Sequence, residues 1–354
     1  MKNRVKFILA ISLLLLQTIP VLAQGPDMVD ALAGWKRSGQ AAMPFLALGA
    51  GARLMAMGDA GLAITGDASA MFYNPAGLAY VENRSVMLGN MNWLLDTSIQ
   101  TGAVALNFGN LGVFGLSAMF FNYGDPIHAT EIDARQEFGY NDIGDFTPSE
   151  FVVGIGYARR ISSQFAIGGQ LKYAHQDLLG GNVKTRIAYK LPDGTWRQDE
   201  HDAVRSTFVL DFGTVYNTGF RDLTLAMSFR NFGGEIKYER EAYDIPLTFR
   251  FGITGSVFKL LNKQVEGMDL LLNIDYLHPR DWSERMNFGL EYSFNQMFYL
   301  RGGYKYNYSS EGLCVGGGIK LNLPMGGVRL DYAYKDTGDT LFDAVHVYSL
   351  NIDF

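Results

Sequence analysis

The chain has 354 residues, a net charge of −6 and 19% charged residues, with 41 Gly, 24 Phe and 19 Tyr against one Cys and 10 Pro. This mildly acidic balance gives no footing for a nucleic-acid partner, and a single cysteine excludes an internal disulfide. Abundant glycine and aromatic residues with few charges suit a large antiparallel barrel, which needs Gly at crowded or bent strand positions and aromatic girdles at two membrane interfaces.

Taken in chain order, the first segment has the form of an export leader. Lys2, Arg4 and Lys6 precede an apolar run over 7–16, and Val21-Leu22-Ala23 offers small residues to a signal peptidase. Residues 1–23 are therefore expected to be a signal peptide cleaved before Gln24. The apolar run is short for a membrane-spanning helix, and no later stretch approaches the roughly 18 uninterrupted apolar residues of one.

Residues 24–83 do not alternate. A short helix is expected near 27–35, followed by a Gly/Ala-rich stretch whose backbone can pass close to other chain. Asp67 is placed to cap a short helix begun by Ala68-Ser69, and Asn74-Pro75 with Ala76-Gly77 reads as a fixed turn.

From residue 84 to the end the sequence alternates with period two. Phe298, Leu300, Gly302, Tyr304 and Tyr306 share one face, and Tyr299, Arg301, Gly303, Lys305 and Asn307 the other. Fourteen such segments are expected, near 84–93, 97–108, 111–122, 149–159, 164–178, 206–217, 223–232, 247–258, 267–278, 283–294, 296–306, 311–322, 326–336 and 343–354. Their length suits tilted membrane strands, and an even count suits a single-chain bacterial barrel. The connections give an independent check. Short turns follow even-numbered strands, whereas the long connections 123–148, 179–205 and 233–246 all follow odd-numbered ones, as alternating periplasmic turns and external loops require. The chain ends on alternating Tyr348, Leu350, Ile352 and Phe354, which resembles the signal that outer-membrane barrels present to their assembly machinery. The fold class is an all-β, 14-stranded antiparallel transmembrane barrel over 84–354, with 24–83 ahead of it.

The register points Lys172, Asp211, Arg230, Arg250, Asp275, Glu291, Arg301, Lys305, Lys320, Arg329, Asp331 and Lys335 inward. They read either as a selectivity lining or as ion pairs within the wall and to Asp59 and Asp67. Mixed signs in a narrow lumen favour pairing, because unpaired buried charge is costly. Arg53, alone among small residues, is suited to a multi-donor contact with a carboxylate or carbonyls inside the barrel, which would pin its segment. No metal site is expected: the five His lack ligand spacing, and the acidic loop 123–148 has no EF-hand pattern. No Gly-x-Ser-x-Gly occurs, no cofactor is implied, and an enzyme is not expected. The 179–205 loop, with Lys184, Arg186, Trp196 and Arg197, is the first choice for a partner surface, since long loops on rigid scaffolds carry contacts.

Two strings carry a resemblance: Gly51-Ala-Arg-Leu-Met-Ala-Met-Gly-Asp-Ala-Gly61 and Asp67-Ala-Ser-Ala-Met-Phe-Tyr-Asn-Pro-Ala-Gly-Leu78. They resemble the N-terminal signature of the PorV/PorQ family, relatives of FadL-type channels that share the Asn-Pro-Ala turn. Ile245-Pro-Leu-Thr-Phe-Arg-Phe-Gly252 and Arg301-Gly-Gly-Tyr304 look like that family's barrel. The resemblance implies a fourteen-stranded barrel whose N-terminal segment folds into the lumen as a hatch, with Arg53, Gly58, Asp59, Gly61, Asp67, Asn74, Pro75 and Gly77 in its motif. It also implies an accessory role in type IX secretion, with translocon subunits or exported proteins as partners beside outer-membrane lipid. The alternative is FadL-like transport of small hydrophobic molecules, with release sideways through a wall gap; glycines such as those of Val315-Gly-Gly-Gly318 read either as a kink that opens such a gap or as relief of crowding against the hatch. Mostly polar inward faces weigh against it.

Overall fold

The computed structural model describes residues 40–132, 137–180, 185–190, 193, 196–201, 203–238, 241–263, 265–324, 326–338 and 342–354. The expected leader over 1–23 and the helix expected near 27–35 lie outside them. Fourteen strands form one closed antiparallel barrel. In chain order these are β1 (Arg84–Asn92), β2 (Ser98–Asn107), β3 (Val113–Asn122), β6 (Ser149–Arg160), β7 (Phe165–Asp177), β10 (Val204–Asn217), β11 (Thr224–Phe232), β14 (Thr248–Ser256), β15 (Met268–Pro279), β16 (Arg285–Phe294), β17 (Phe298–Tyr306), β18 (Leu313–Leu323), β19 (Gly326–Lys335) and β20 (Val345–Asp353). Each expected segment overlaps one of these strands, in order.

The remaining strands were not foreseen. They form a two-stranded hairpin inside each long connection: β4 (Ile127–Ile132) with β5 (Tyr140–Phe146), β8 (Thr185–Lys190) with β9 (Trp196–His201), and β12 (Ile236–Tyr238) with β13 (Glu241–Tyr243). Closure comes from β1 pairing with β20 from Ser85↔Asp353 to Asn92↔His346. A closed ladder leaves no backbone edge unpaired in lipid, which is the requirement for crossing a membrane with strands. No helix among the described residues is long and apolar enough to cross one.

The two faces of the wall separate by chemistry. Leu88, Leu116, Ile155, Phe208, Leu300 and Leu330 are exposed on the outside, while Lys172, Arg250, Asp275 and Arg301 are buried on the inside. Outward aromatics form rows. At the external end, Phe120, Phe151, Tyr173 and Phe208 follow one another across β3, β6, β7 and β10, with ring centroids 6.1, 6.2 and 5.3 Å apart. At the other end Phe114 lies 5.6 Å from Phe108 and 5.1 Å from Tyr157. Phe114 and Phe120 sit six positions apart on β3, so the rows are about 20 Å apart along the strand.

The pairing departs from regularity between β10 and β11, where the register shifts between Leu210 and Phe212. Asn231 takes φ +60°, and its N–H donates to Asp211 Oδ1 at 2.7 Å rather than to the ladder. The bulge turns two consecutive residues, Arg230 and Asn231, inward between outward-facing Phe229 and Phe232. By contrast, Gly316 to Gly318 pair without interruption with both β17 and β19. The gap that these glycines were expected to permit is therefore not formed there. An added Cβ on Gly316 would lie 2.6 Å from the Ala56 Cβ, so the residue makes room for a neighbour inside the barrel.

Candidate functional site

The described residues from 40 to 83 pack against the inner face of this wall. They are built from short turns: a one-turn helix over Ala52–Met55 and 3-10 turns over Pro44–Ala47, Ala68–Phe72 and Pro75–Tyr80. The Asp67 side chain caps its turn by accepting from the Ser69 N–H at 3.0 Å. Asn74 caps the next by accepting from the Ala76 N–H at 3.1 Å, and its amide donates to the carbonyls of Leu62 at 3.2 Å and Thr214 at 3.1 Å. Pro75 follows at the first position of its turn, where the missing N–H costs nothing. It rests against β7, where a Cβ on Gly168 would stand 2.6 Å from the Pro75 carbonyl carbon. Gly77 lies under Ala70, where an added Cβ would meet the Ala70 Cβ at 3.0 Å.

Four acidic groups hold this segment to the wall. Arg53 gives Glu291 on β16 two parallel bonds, Nε to Oε2 at 2.9 Å and Nη2 to Oε1 at 2.7 Å. Such a bidentate fork fixes orientation as well as charge. Asp67 takes Arg329 of β19 at 2.9 Å and has Arg53 at 3.7 Å. Burial alone would raise the Asp67 carboxyl; Arg329 and Arg53 outweigh it and hold it below its ordinary value. Asp59, at φ +60° beside Gly58 at φ +65°, bonds Lys305 of β17 at 2.8 Å and accepts from the Tyr73 hydroxyl at 2.8 Å. The Asp59 carbonyl accepts from Arg250 at 2.7 Å. Finally, the N–H groups of Gly61 and Leu62 both donate to Asp275 Oδ2 at 3.0 Å, and Arg250 reaches the same oxygen at 3.0 Å.

The wall's own charges complete the network. Arg301 bridges Glu291 at 2.6 Å and Asp331 at 2.8 Å, and Arg329 reaches Asp331 at 2.8 Å. Lys172 pairs with Asp211 at 2.8 Å. Lys335 pairs with Glu311 at 2.9 Å, and Lys305 contacts the same carboxylate. Glu311 sits in the β17–β18 connection, where burial would raise its pKa but Lys305 and Lys335 hold it down at about 2. Lys320 stands apart: it is half-buried and makes no ion pair among the described residues. Among those residues no group of His, Cys, Asp or Glu is arranged to hold a metal ion.

Of the loop residues expected to meet a partner, Lys184 lies outside the described residues. Arg186, Trp196 and Arg197 lie on the β8–β9 hairpin, whose backbone pairs Arg186 with Glu200, Lys190 with Trp196 and Tyr189 with Arg197. Their side chains lie outside what is described. Alternation puts Asn287 on the same polar face as Glu291, but sequence reasoning did not single it out, and it missed Asn231, Arg285 and Glu311. A bulge and two charges at the ends of connections give no period-two signal.

A closed fourteen-stranded wall, apolar and aromatic outside and charge-paired inside, defines an integral outer-membrane β-barrel in contact with lipid. Within that class the particular family follows from sequence. The profile of the family described as Type IX secretion system protein PorV matches residues 35–265, more than half of the chain, and the chain belongs to that family. No curated protein matches it by sequence. Among solved structures it is similar to a Pseudomonas aeruginosa FadL homologue, with 12% identity over 86% of this chain and 98% of that one and a TM-score of 0.51. It is similar in the same way to the Pseudomonas putida toluene transporter TodX, with 12% identity, 86% and 96% coverage and a TM-score of 0.52. The Ralstonia pickettii toluene transporter TbuX gives 12%, 86% and 98%, and 0.54. At such identity the likeness is one of fold, and it agrees with the expected kinship to FadL-type barrels.

Proposed function

We propose that this protein is a non-enzymatic accessory barrel of type IX secretion, which docks or shuttles exported proteins at the outer membrane. In this reading residues 1–23 are its export leader and 24–83 its lumen plug. The observation that carries the reading is the set of charge pairs from Arg53, Asp59 and Asp67 to β16, β17 and β19, in a member of the PorV family. Opening a path for solute through the lumen would strand several buried charges, and breaking even one such pair costs about 3–5 kcal/mol. A plug held so firmly favours work done at the surface. The long external connections with their hairpins are then the contact surface, with Lys184, Arg186, Trp196 and Arg197 its first candidates.

The test is a gentle detergent pull-down of the tagged protein from outer membranes, with mass spectrometry of both proteins and lipids. Stoichiometric recovery of a large translocon subunit, or of surface proteins sharing a C-terminal domain, is the expected result. A lone barrel carrying a small hydrophobic molecule would overturn the docking role and leave FadL-like transport.

A further inference from the structure

At the external end of the barrel lies a cavity of about 300 Å³. Its wall follows a course around the sheet, from Arg230 on β11 through Arg250 on β14 and Asn287 on β16 to Lys305 on β17. Trp282 and Tyr308 enter from the connections after β15 and β17, and Tyr73 lines it from the segment inside the barrel.

Most of the cavity's cations already have carboxylates. Arg250 is held by Asp275, Lys305 by Asp59, and Lys335 by Glu311. Two are not so held. Arg230, turned inward by the bulge and 7% exposed, has only two long bonds of 3.4 Å from Nη2 to the carbonyls of Leu46 and Leu48. Its Nε has no partner within the protein. Arg285 lies between two rings, 4.8 Å from the Trp282 centroid and 4.3 Å from that of Tyr308, and its Nε is likewise without a partner. Asn287, two positions along β16 from Arg285, is 0% exposed, yet neither its amide nitrogen nor its oxygen bonds anything in the protein. A buried amide with both ends open needs a guest that accepts at one point and donates at another.

We propose that this cavity binds a small aromatic carboxylate that also carries a hydrogen-bond donor, such as a ring hydroxyl. The carboxylate meets the free guanidinium edge of Arg230, whose planar donors match two oxygens. The ring lies beside the Trp282–Arg285–Tyr308 stack, and the ligand's donor and acceptor meet Asn287. A volume at the lower end of the ligand-pocket range admits a single ring and excludes a long acyl chain. The inference is independent of the secretion reading, because the site lies in the mouth of the barrel and needs neither transport nor a protein partner.

Isothermal titration of the full-length protein in detergent with 4-hydroxybenzoate tests it. The comparators are benzyl alcohol (the ring without the charge), inorganic phosphate (the charge without the ring) and decanoate. Saturable one-to-one binding of 4-hydroxybenzoate alone among the four is expected. R230Q and R285Q should each weaken it roughly tenfold or more, and N287L, which removes the partner of the ligand's hydroxyl, should weaken it as well. K259Q, on the exposed Lys259–Asp222 pair, should bind as the wild type does. Heat-modifiable migration on gels checks that every variant is folded. No saturable binding to the wild type, equal binding by R230Q, R285Q and K259Q, or phosphate or decanoate binding as tightly as 4-hydroxybenzoate would each overturn the proposal.

Discussion

Glu291 serves two arginines of different origin, Arg53 from the segment inside the barrel and Arg301 from the neighbouring strand. Glu291→Gln keeps the shape and removes the charge, leaving two buried guanidiniums short of their anion. The expected loss is about 3–5 kcal/mol, read as a lower urea midpoint in detergent; an unchanged midpoint would mean that the pair is decorative. Glu311 gives a pH signature. Its folded pKa of about 2 lies below the ordinary 4.5, so its pairing stabilises fully above pH 4.5 and is lost as pH falls toward 2. The wild type should therefore melt above E311Q near neutrality, and the two curves should converge as the medium is acidified. What the sequence discloses at this scale is uneven. Arg53 reads as a multi-donor contact from its setting among small residues. Its partner, 238 positions away, is brought near only by barrel closure and cannot be read from spacing.

At the scale of elements, alternation alone locates all fourteen barrel strands, because each has one face in lipid and one in a polar interior. The hairpins β4–β5, β8–β9 and β12–β13 escaped because their strands are short, from three to seven residues, and a run of that length gives alternation too few steps to stand out. The bulge at Asn231 escaped because one extra residue breaks alternation at a single step, which looks like noise. The glycines can be tested pairwise. A Cβ on Gly303 would fall 2.1 Å from the Met57 carbonyl carbon, whereas the adjacent Gly302 faces outward with nothing within 4 Å. Gly303→Ala should therefore loosen residues 40–83 and speed their cleavage in limited proteolysis, while Gly302→Ala leaves the pattern unchanged. Equal behaviour of the two would contradict the packing described here.

For the whole molecule, the closing seam between β1 and β20 also carries an anchor, the bond from the Ala52 N–H to Ser349 Oγ at 3.1 Å. In a background with Cys314 replaced by Ala, paired cysteines at Ala52 and Ser349 should cross-link on oxidation. A surface docking role predicts that the locked protein still recovers its partners in the pull-down, and loss of recovery on locking would show that the segment must move. Cys314 itself, the chain's single thiol, is 0% exposed on β18 between β17 and β19. That burial makes it a clock. The Cys314 side chain faces inward, between outward-facing Leu313 and Val315, on the side where Asp59 meets Lys305. A thiol reagent finds nothing to modify while that interior stays packed, and finds one site per molecule once it loosens. The labelling rate in intact membranes therefore reads how often the packing inside this part of the barrel opens, without any introduced probe. A slow single-exponential rate that follows global unfolding would mean that the interior opens only when the barrel comes apart. A faster one would reveal local excursions inside an intact wall.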